Sequence, residues 1–345
     1  MRYTKLPNTD IEISKICLGT MTWGKQNTED EAHVQMDMAI DKGINFFDTA
    51  ELYPVPAEAE TQGRTSTYIG TWLKKTGNRD KLILASKITG PGDYTKHIRT
   101  GGFSKQNIID AVNRELKRLQ TDYIDLFQLH WPERETNTFG TRDYTHDENE
   151  HWNQNFYAVL ETFQELISDG KVRFVGLSNE KAWGTMRYLE EAKYNNLPRP
   201  ITIQNAYSLV NRTFEGDLAE VSHRENIGLL AYSPMAFGIL SGKYFKGLDK
   251  PNSRLNLFKR FSRYSDPQTM VAAKRYMELA EKYGLSPAQM ALAFVTDRPF
   301  VTSNIIGATD SAQLEENIES IHLKLGEDIL KEINKIHSEI PNPAT

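Results

Sequence analysis

The chain has 345 residues, of which 39% are hydrophobic and 25% charged, so it has enough apolar side chains to bury a sizeable core. The formal net charge is −5 and no basic block stands out, which argues against nucleic acid or an anionic membrane as partner. The single cysteine, Cys17, excludes an internal disulfide and a cysteine-based metal site. The start lacks the apolar stretch of a signal peptide, and no apolar run is long enough to span a bilayer. We therefore expect a cytoplasmic protein.

The chain begins with a predicted hairpin and continues as an alternation of strands and helices. Residues 3–16 surround a Pro-Asn-Thr-Asp turn, which is typical of a short β-hairpin. Eight short apolar, β-branched runs follow, at residues 15–20, 44–50, 81–87, 123–130, 173–179, 201–207, 227–233 and 303–309. Helical spacing is found at residues 28–43, 65–77, 104–120, 155–171, 181–196, 213–227, 267–284 and 311–320.

Eight strands that alternate with helices predict an α/β fold, a (β/α)8 TIM barrel. The N-terminal hairpin precedes the barrel, and the composition shows no break, so we expect a single domain over residues 1–345. A doubly wound open sheet shares the alternation but rarely has eight regular units. The dinucleotide-binding pattern Gly-x-Gly-x-x-Gly, which favours that alternative, does not follow the first strand.

Two connections are long enough to carry function. Residues 131–155 are polar, acidic and rich in aromatic side chains. Residues 234–266 follow the seventh strand and carry several cations, among them Lys243, Arg254, Lys259, Arg260 and Arg263. Loops that follow barrel strands lie on the C-terminal face, where TIM-barrel active sites are found.

Polar residues end three neighbouring strands. The second run ends at Asp48, with Tyr53 just beyond it, the third ends at Lys87 and the fourth at His130. Taken singly, Lys87 is also compatible with a solvated strand end and His130 with a core histidine. Their joint placement at one edge of the barrel instead predicts an active site that combines a carboxylate, a phenol, an ammonium and an imidazole.

This set suits proton donation to a carbonyl oxygen. A tyrosine is a weak acid, because its ordinary pKa is about 10. The ammonium of Lys87 favours the phenolate of Tyr53 and is expected to lower its pKa. Asp48 would hold Lys87 charged, and His130 could hydrogen-bond the substrate oxygen.

The motifs "DTAELY", "ASK" and "LHW" together resemble the Asp-Tyr-Lys-His tetrad of the aldo-keto reductases. The resemblance covers nearly the whole chain, from "CLGTMTWG" through "GLSN" to "GATDSAQLEENI", and is strongest to bacterial Tas-type reductases. It implies a (β/α)8 barrel, NADP(H), no metal, and hydride transfer to an aldehyde or ketone. It assigns the catalytic roles to Asp48, Tyr53, Lys87 and His130, with Tyr53 as the acid.

The resemblance also implies the cofactor contacts. Ser178, Asn179 and Gln204 would hold the nicotinamide carboxamide, and Tyr232 would stack on the nicotinamide ring, although a core tyrosine is the alternative. Gly19 and Thr20 would lie beside the cofactor backbone. A loop over the pyrophosphate would supply the remaining contacts, namely Ser233, Met235, Gly238, Leu240 and Lys243. Its "GILSGK" is not a P-loop, because the spacing differs.

A second phosphate site is predicted where "GATDSAQLEENI" leads from a small-residue turn into a helix. The first amides of a helix attract anions, which suits an adenosine phosphate at Gly307 to Thr309. An ordinary capped helix is the alternative. By resemblance, three further residues would contact the adenine end, namely Gln313, Glu316 and Asn317.

The chain departs from many members of this family at the adenosine end. Those members have a Lys-Ser pair where this chain has Gly307-Ala308, and an arginine at the position of Gln313. The expected replacement for binding a 2′-phosphate is Ser253 and Arg254 together with Lys243, because arginine binds phosphate through two parallel hydrogen bonds.

Three other signals have simpler interpretations. "HDENEH" at residues 146–151 contains possible metal ligands, but it lacks the spacing of a metal site and is interpreted as a solvated acidic loop. The basic segment 254–263 is short and better suited to a cofactor phosphate than to nucleic acid. Cys17 lies inside the first strand and is expected in the core.

Two functional hypotheses follow. The chain is an NADP(H)-dependent carbonyl reductase, or it is a cofactor-bound regulatory subunit such as the channel β-subunits that it also resembles. The intact tetrad favours the enzyme. Its substrate would be a small carbonyl compound, aromatic or of medium chain length, that contacts Trp23, Tyr53, His130, Trp131 and the long loops. The oligomeric state stays open.

Overall fold

Eight parallel strands close into a barrel that follows a short antiparallel hairpin. The structure, a computed structural model, describes residues 1–249, 251, 253–258 and 262–345. The hairpin consists of β1 (Tyr3–Lys5) and β2 (Glu12–Ser14). The barrel strands are β3 (Ile16–Gly19), β4 (Phe46–Asp48), β5 (Ile83–Ile88), β6 (Ile124–Leu129), β7 (Val172–Ser178), β8 (Pro200–Ala206), β9 (Gly228–Tyr232) and β10 (Val301–Ile306). They pair in chain order, and β10 pairs with β3 to close the barrel. The predicted fold class is confirmed.

Helices connect the strands and surround the barrel. They are α1 (Glu29–Asp41), α2 (Arg64–Thr76), α3 (Lys105–Leu119), α4 (Phe156–Ser168), α5 (Ala182–Asn195), α6 (Leu218–Glu225), α7 (Arg254–Leu257), α8 (Pro267–Lys282), α9 (Pro287–Thr296), α10 (Ser311–Glu319) and α11 (Glu327–Glu339). Several of them begin at a residue whose side chain accepts a hydrogen bond from a backbone amide of the first turn. Thr28, for example, accepts a hydrogen bond from the amide of Glu31, whose side chain accepts one from the amide of Thr28. Within the described ranges, no helix is both long and apolar enough to cross a membrane.

Three helices, α7, α9 and α11, were not predicted from the sequence, and one predicted helix is interrupted. Helix α9 has eight of its ten residues buried, so it shows no polar face from which a helical period could be recognised. Helix α11 follows the last barrel strand, beyond the repeating pattern. The segment 213–227 is not one helix, because a short turn, Thr213–Glu215, precedes α6. Residues 259–260 of the predicted basic segment lie outside the described residues.

The hairpin closes the floor of the barrel. Leu6 and Ile13 are fully buried and belong to the same apolar cluster as Phe46, Ala85 and Leu126 of three barrel strands. Cys17 belongs to this cluster too, as expected. Side chains alternate between the two faces of a strand, so the residues two positions further along point to the same interior. Those residues form the polar layer described next.

Candidate active site

A layer of polar side chains lies directly above the apolar floor of the barrel. Two positions after Phe46, Ala85 and Leu126, the strands carry Asp48, Lys87 and Gln128, all buried. The strand register pairs Lys87 with Gln128. Residues two positions apart share one face of a strand, so the apolar floor and the polar layer are successive layers of the same barrel interior.

Asp48 and Lys87 form a buried ion pair at the centre of this layer. Oδ2 of Asp48 lies 2.6 Å from Nζ of Lys87, and the side chains are 2% and 0% exposed. Nζ of Lys87 also donates to the carbonyl oxygen of Thr49 at 2.7 Å. Burial disfavours the ammonium, but the Asp48 carboxylate and then Tyr53 outweigh it, so the pKa of Lys87 is raised. Lys87 is therefore held in its charged form.

Two glutamine side chains complete the surroundings of Asp48. Nε2 of Gln204 donates to Oδ1 of Asp48 at 2.8 Å, and Nε2 of Gln128 donates to the same oxygen at 3.2 Å. Gln204 was predicted to contact the nicotinamide, and it lines the cleft while also binding Asp48. Gln128 was missed. Its signal was a polar residue two positions after Leu126, on the inward face of β6.

Tyr53 lies above Lys87, on the loop that follows β4. Nζ of Lys87 is 5.0 Å from the centroid of the Tyr53 ring. The prediction that the pKa of the Tyr53 phenol is lowered is wrong. Burial raises the pKa of Tyr53, and the opposing charge of Lys87 only limits the rise. Tyr53 is thus protonated throughout the neutral pH range, as a proton donor must be.

His130 faces Tyr53 from the end of β6. Their ring centroids are 5.9 Å apart, with the planes nearly perpendicular. Burial, and then the charge of Lys87, lower the pKa of His130 well below its usual value, so the imidazole is neutral. Its Nδ1 is buried and has no hydrogen-bond partner among the described residues. The imidazole is therefore a neutral hydrogen-bonding group.

A short chain of hydrogen bonds runs from β7 to β9 along the same mouth. The hydroxyl of Tyr232 donates to Oδ1 of Asn179 at 2.6 Å, and Nδ2 of Asn179 donates to Oγ of Ser178 at 3.1 Å. Asn179 is also anchored to the carbonyl oxygen of His130 at 2.9 Å. An amide, a hydroxyl and a phenol thus lie beside the tetrad, and these groups could bind a carboxamide by exchanging the hydrogen bonds that they now make with one another.

One cleft of about 1210 Å³ contains most of the predicted site. Lys87 lies beneath its surface, buried under Asp48 and Tyr53. The predicted residues that line the cleft are Asp48, Tyr53, His130 and Trp131, then Gly19, Thr20, Ser178, Asn179, Gln204, Tyr232, Ser233, Met235, Gly238, Lys243, Ser253, Arg254, Gly307, Thr309, Gln313, Glu316 and Asn317. The sequence motifs, far apart along the chain, therefore meet on one surface.

Two predicted contacts do not line the cleft. Trp23 is completely buried, and its Nε1 donates to Oε1 of Gln35 at 3.1 Å within the core. Leu240 is also buried, in the cluster formed with α8 and α9. A large apolar side chain on a loop can face either the cleft or the core, and at these two positions it faces the core.

Aromatic side chains form the outer part of the cleft. Trp131 stacks with Tyr94 at a ring-centroid distance of 5.8 Å and meets Phe139 edge-on at the same distance. All three line the cleft. Tyr94 and Phe139 were missed, although both lie in connections that follow barrel strands. The walls beyond the tetrad are thus suited to flat or apolar groups.

The start of α10 is more fully capped than predicted. Oδ1 of Asp310 accepts from the amide of Gln313 at 2.9 Å, and Oε1 of Gln313 accepts from the amide of Thr309 at 3.3 Å. The Asp310 carboxylate also brings negative charge to this helix end. The structure therefore agrees with the alternative of a capped helix, and it gives less support to the predicted anion site at Gly307 to Thr309.

Cations line the cleft on the connection that follows β9. Lys243, Arg254 and Arg263 all face the cleft. The guanidinium of Arg254 lies 4.5 Å from the centroid of the Phe237 ring, and its buried Nε has no partner among the described residues. Burial lowers the pKa of Arg254 to about 10, which leaves it charged at neutral pH. Three cations in an acidic chain fit a ligand that carries phosphates.

The acidic loop, residues 146–151, lies on the surface of the protein. All six of its residues are exposed, and the neighbouring Trp152 is half-buried. Among the residues that the structure describes, no group of three His, Cys, Asp or Glu side chains is arranged to hold a metal ion.

Comparison with known proteins identifies the family. The model of the aldo/keto reductase family matches residues 15–338. Protein tas of Escherichia coli is 50% identical over the whole of both chains. The uncharacterized oxidoreductase YrpG of Bacillus subtilis is 32% identical over 97% of this chain and 96% of its own. A putative voltage-gated potassium channel subunit beta of Schizosaccharomyces pombe is 29% identical over 97% of this chain and 93% of its own. The chain belongs to the aldo/keto reductase family and is an oxidoreductase.

Proposed function

We propose that this chain reduces aldehydes or ketones to alcohols with NADP(H). The observation that carries the proposal is the buried pair of Asp48 and Lys87, with Nζ of Lys87 below the Tyr53 ring and His130 beside it. A binding site alone does not require a buried ammonium next to a phenol. Proton donation to a carbonyl oxygen does, because the phenol loses its proton as the carbonyl is reduced.

Tyr53 would donate the proton. As the proton leaves, the developing phenolate is stabilised by the charge of Lys87, which Asp48 holds in place. Burial makes this stabilisation stronger than it would be in water. His130, neutral at physiological pH, would hydrogen-bond the substrate oxygen and direct it towards Tyr53.

The same cleft has groups suited to the cofactor. Ser178, Asn179 and Gln204 would hold the nicotinamide carboxamide, and the ring of Tyr232 would pack against the nicotinamide. When bound, NADPH supplies the hydride. Fixing the amide fixes which face of the ring is presented to the substrate, and hence where the hydride arrives.

Preference for NADP over NAD would depend on the basic wall of the cleft. Arg254 and Lys243 are the expected partners of the 2′-phosphate, with Ser253 beside them. The capped start of α10, with its Asp310 carboxylate, argues that this helix end contributes less than expected from the sequence. Family resemblance and local charge together support NADP.

The substrate is expected to be an aromatic or medium-chain carbonyl compound. Trp131, Tyr94 and Phe139 form the outer walls next to His130 and leave mainly apolar surface for the part of the substrate beyond its carbonyl group. A cytoplasmic location and the lack of nucleic-acid and membrane partners remain predictions.

A cofactor-bound regulatory subunit is the alternative, because one relative is named as a putative channel subunit beta. Both proposals predict that the chain binds NADPH, but only the first predicts turnover. The test follows NADPH absorbance with a panel of aromatic and aliphatic aldehydes, after NADPH binding has been measured by fluorescence. Turnover supports the reductase. Tight binding without turnover supports the regulatory subunit, and no binding contradicts both.

A further inference from the structure

Glu51 is a buried acid that takes no direct part in the site described above. It lies two residues before Tyr53 on the loop after β4, is 0% exposed, and does not line the cleft. A buried carboxylate needs partners that compensate the loss of water. Its partners show which parts of the active site it holds together.

The carboxylate of Glu51 joins the Tyr53 loop to the end of β5. Oε1 forms an ion pair with Arg99, whose side chain is 6% exposed. Oε2 accepts a hydrogen bond from the amide of Thr89 at 3.1 Å, two residues after Lys87. Arg99 also donates to the carbonyl oxygen of Thr89 at 3.4 Å. One side chain thus connects the loop that carries Tyr53 to the strand that carries Lys87.

The backbone of Glu51 strengthens the same connection. Its amide donates to the carbonyl oxygen of Lys87 at 3.1 Å. Its carbonyl oxygen accepts from Nε2 of Gln62 at 2.6 Å and from Nη1 of Arg118 at 3.4 Å. The polar groups of Glu51 are therefore all engaged, and the loop can shift only if several of these bonds break together.

Arg99 extends the connection to the substrate wall. It ends a segment, residues 90–99, in which the carbonyl oxygen of Pro91 accepts from Nε1 of Trp131 at 2.8 Å. Tyr94 of this segment stacks on Trp131, and Ile98 belongs to the apolar cluster that contains Tyr53. The ion pair thus connects both Tyr53 and the wall beside His130 to the barrel.

We propose that the Glu51–Arg99 ion pair is a positioning pair that fixes Tyr53 relative to Lys87 and the substrate carbonyl. This inference rests on the proposed reductase function. Neither side chain touches the reacting atoms. The pair acts through the loop geometry, so it sets how well the phenol is aimed for proton donation.

Two physical arguments favour positioning over stability. A buried ion pair is often no more stabilising than apolar residues of the same volume, so stability alone does not account for it. Proton transfer, in contrast, depends steeply on geometry, and a displacement of about 1 Å can lower a rate by about 100-fold. A pair that links the acid to its neighbouring ammonium has its largest effect on that step.

The test compares Glu51→Gln, Arg99→Met and the double variant with wild type. Each single variant leaves one buried group without its partner, whereas the double variant removes both charges and is expected to recover stability. If a single variant fails to fold, the double variant carries the test. We expect kcat to fall about 10- to 100-fold in all three, with a larger solvent deuterium isotope effect. The affinity for NADPH stays within about twofold of wild type.

Asp125 provides a matched control at the other end of the barrel. It is 0% exposed, pairs with Arg79 at 2.8 Å and Arg173 at 2.7 Å, and accepts from the amide of Leu84 at 2.9 Å. Asp125→Asn therefore removes a comparable buried carboxylate. Asp125 lies near the start of β6, whereas Tyr53 lies beyond the end of β4, at the opposite end of the barrel. Asp125→Asn is expected to lower stability while leaving kcat and the isotope effect unchanged.

Hydrogen exchange of the peptide that holds residues 49–55 tests positioning without turnover. Faster exchange of this peptide in Glu51→Gln, but not in Asp125→Asn, supports the proposed positioning role. This holds even if wild type proves inactive, because an inactive wild type contradicts only the reductase function. Unchanged exchange contradicts the proposal. So does an active wild type whose Glu51 variants keep the same kcat and isotope effect, or lose activity only as Asp125→Asn does.

Discussion

Oδ2 of Asp48 lies 2.6 Å from Nζ of Lys87, and both side chains are almost completely removed from water. The two residues come from adjacent strands and meet only because parallel barrel strands place their ends at one edge. A pair buried so deeply is stable only while both partners are present. Its loss is therefore expected to affect stability and catalysis together.

Asp48→Asn is expected to destabilise the protein by about 3–5 kcal/mol, because it leaves the Lys87 ammonium buried without a counter-charge. The pKa of Lys87, which Asp48 raises, then falls. Turnover falls as well, since less positive charge faces Tyr53. Urea denaturation and kcat measure the two effects. An Asp48→Asn variant with wild-type stability would contradict the ion pair.

The pH dependence of reduction follows from Tyr53 and His130. Reduction needs the protonated phenol, and burial raises the pKa of Tyr53, so kcat stays level through neutral pH and falls as pH rises through that raised pKa. His130 has a pKa well below its usual value and adds no break in the neutral range. The measurement is kcat against pH. A break near the ordinary histidine pKa of about 6.5 would contradict this account.

Arg254→Met is expected to weaken NADPH binding by about 10- to 100-fold, because a hydrogen bond to a charged group contributes about 1.5–3 kcal/mol. NADH, which lacks the 2′-phosphate, should bind as it does to wild type. Lys246→Met is the matched control, because Lys246 pairs with Glu281 at 2.6 Å and does not line the cleft. Fluorescence titrations with both cofactors measure the effect. Equal losses for NADPH and NADH would contradict the assigned phosphate contact.

Trp23→Phe is expected to lower stability without changing substrate selection. The variant leaves Oε1 of buried Gln35 without its donor, which costs about 1–3 kcal/mol. KM values across an aldehyde series should match wild type, whereas Trp131→Leu should alter them for aromatic aldehydes. If Trp23→Phe shifts these KM values while stability is unchanged, Trp23 contacts substrate after all.

The sequence was sufficient to predict the barrel, because eight apolar runs alternating with helical spacing are a strong repeating signal. It was also sufficient to bring Asp48, Lys87 and His130 together, since strand ends meet at one edge. The prediction of a single domain over residues 1–345 stays a prediction, as do the assigned roles of the site residues.

The remaining features depend on three-dimensional context that local patterns do not contain. Trp23 lies on a loop, and nothing in its neighbourhood indicates whether it faces the cleft or the core. Helix α9 is apolar on all sides, so its period is hidden. Burial raises the pKa of Tyr53 more than the charge of Lys87 lowers it, and the extent of burial cannot be read from the sequence. Glu51 is next to a recognised motif, but its partners Arg99 and Thr89 are brought to it only by folding.

The most direct test of the central claim is turnover by Tyr53→Phe with NADPH and an aldehyde that wild type reduces. The change removes the proposed proton donor and keeps the ring. Tyr276→Phe is the control, because the hydroxyl of Tyr276 is buried and has no partner among the described residues. We predict that Tyr53→Phe binds NADPH normally but loses about 10²- to 10⁴-fold in kcat, while Tyr276→Phe keeps wild-type activity. Wild-type turnover by Tyr53→Phe would contradict the account.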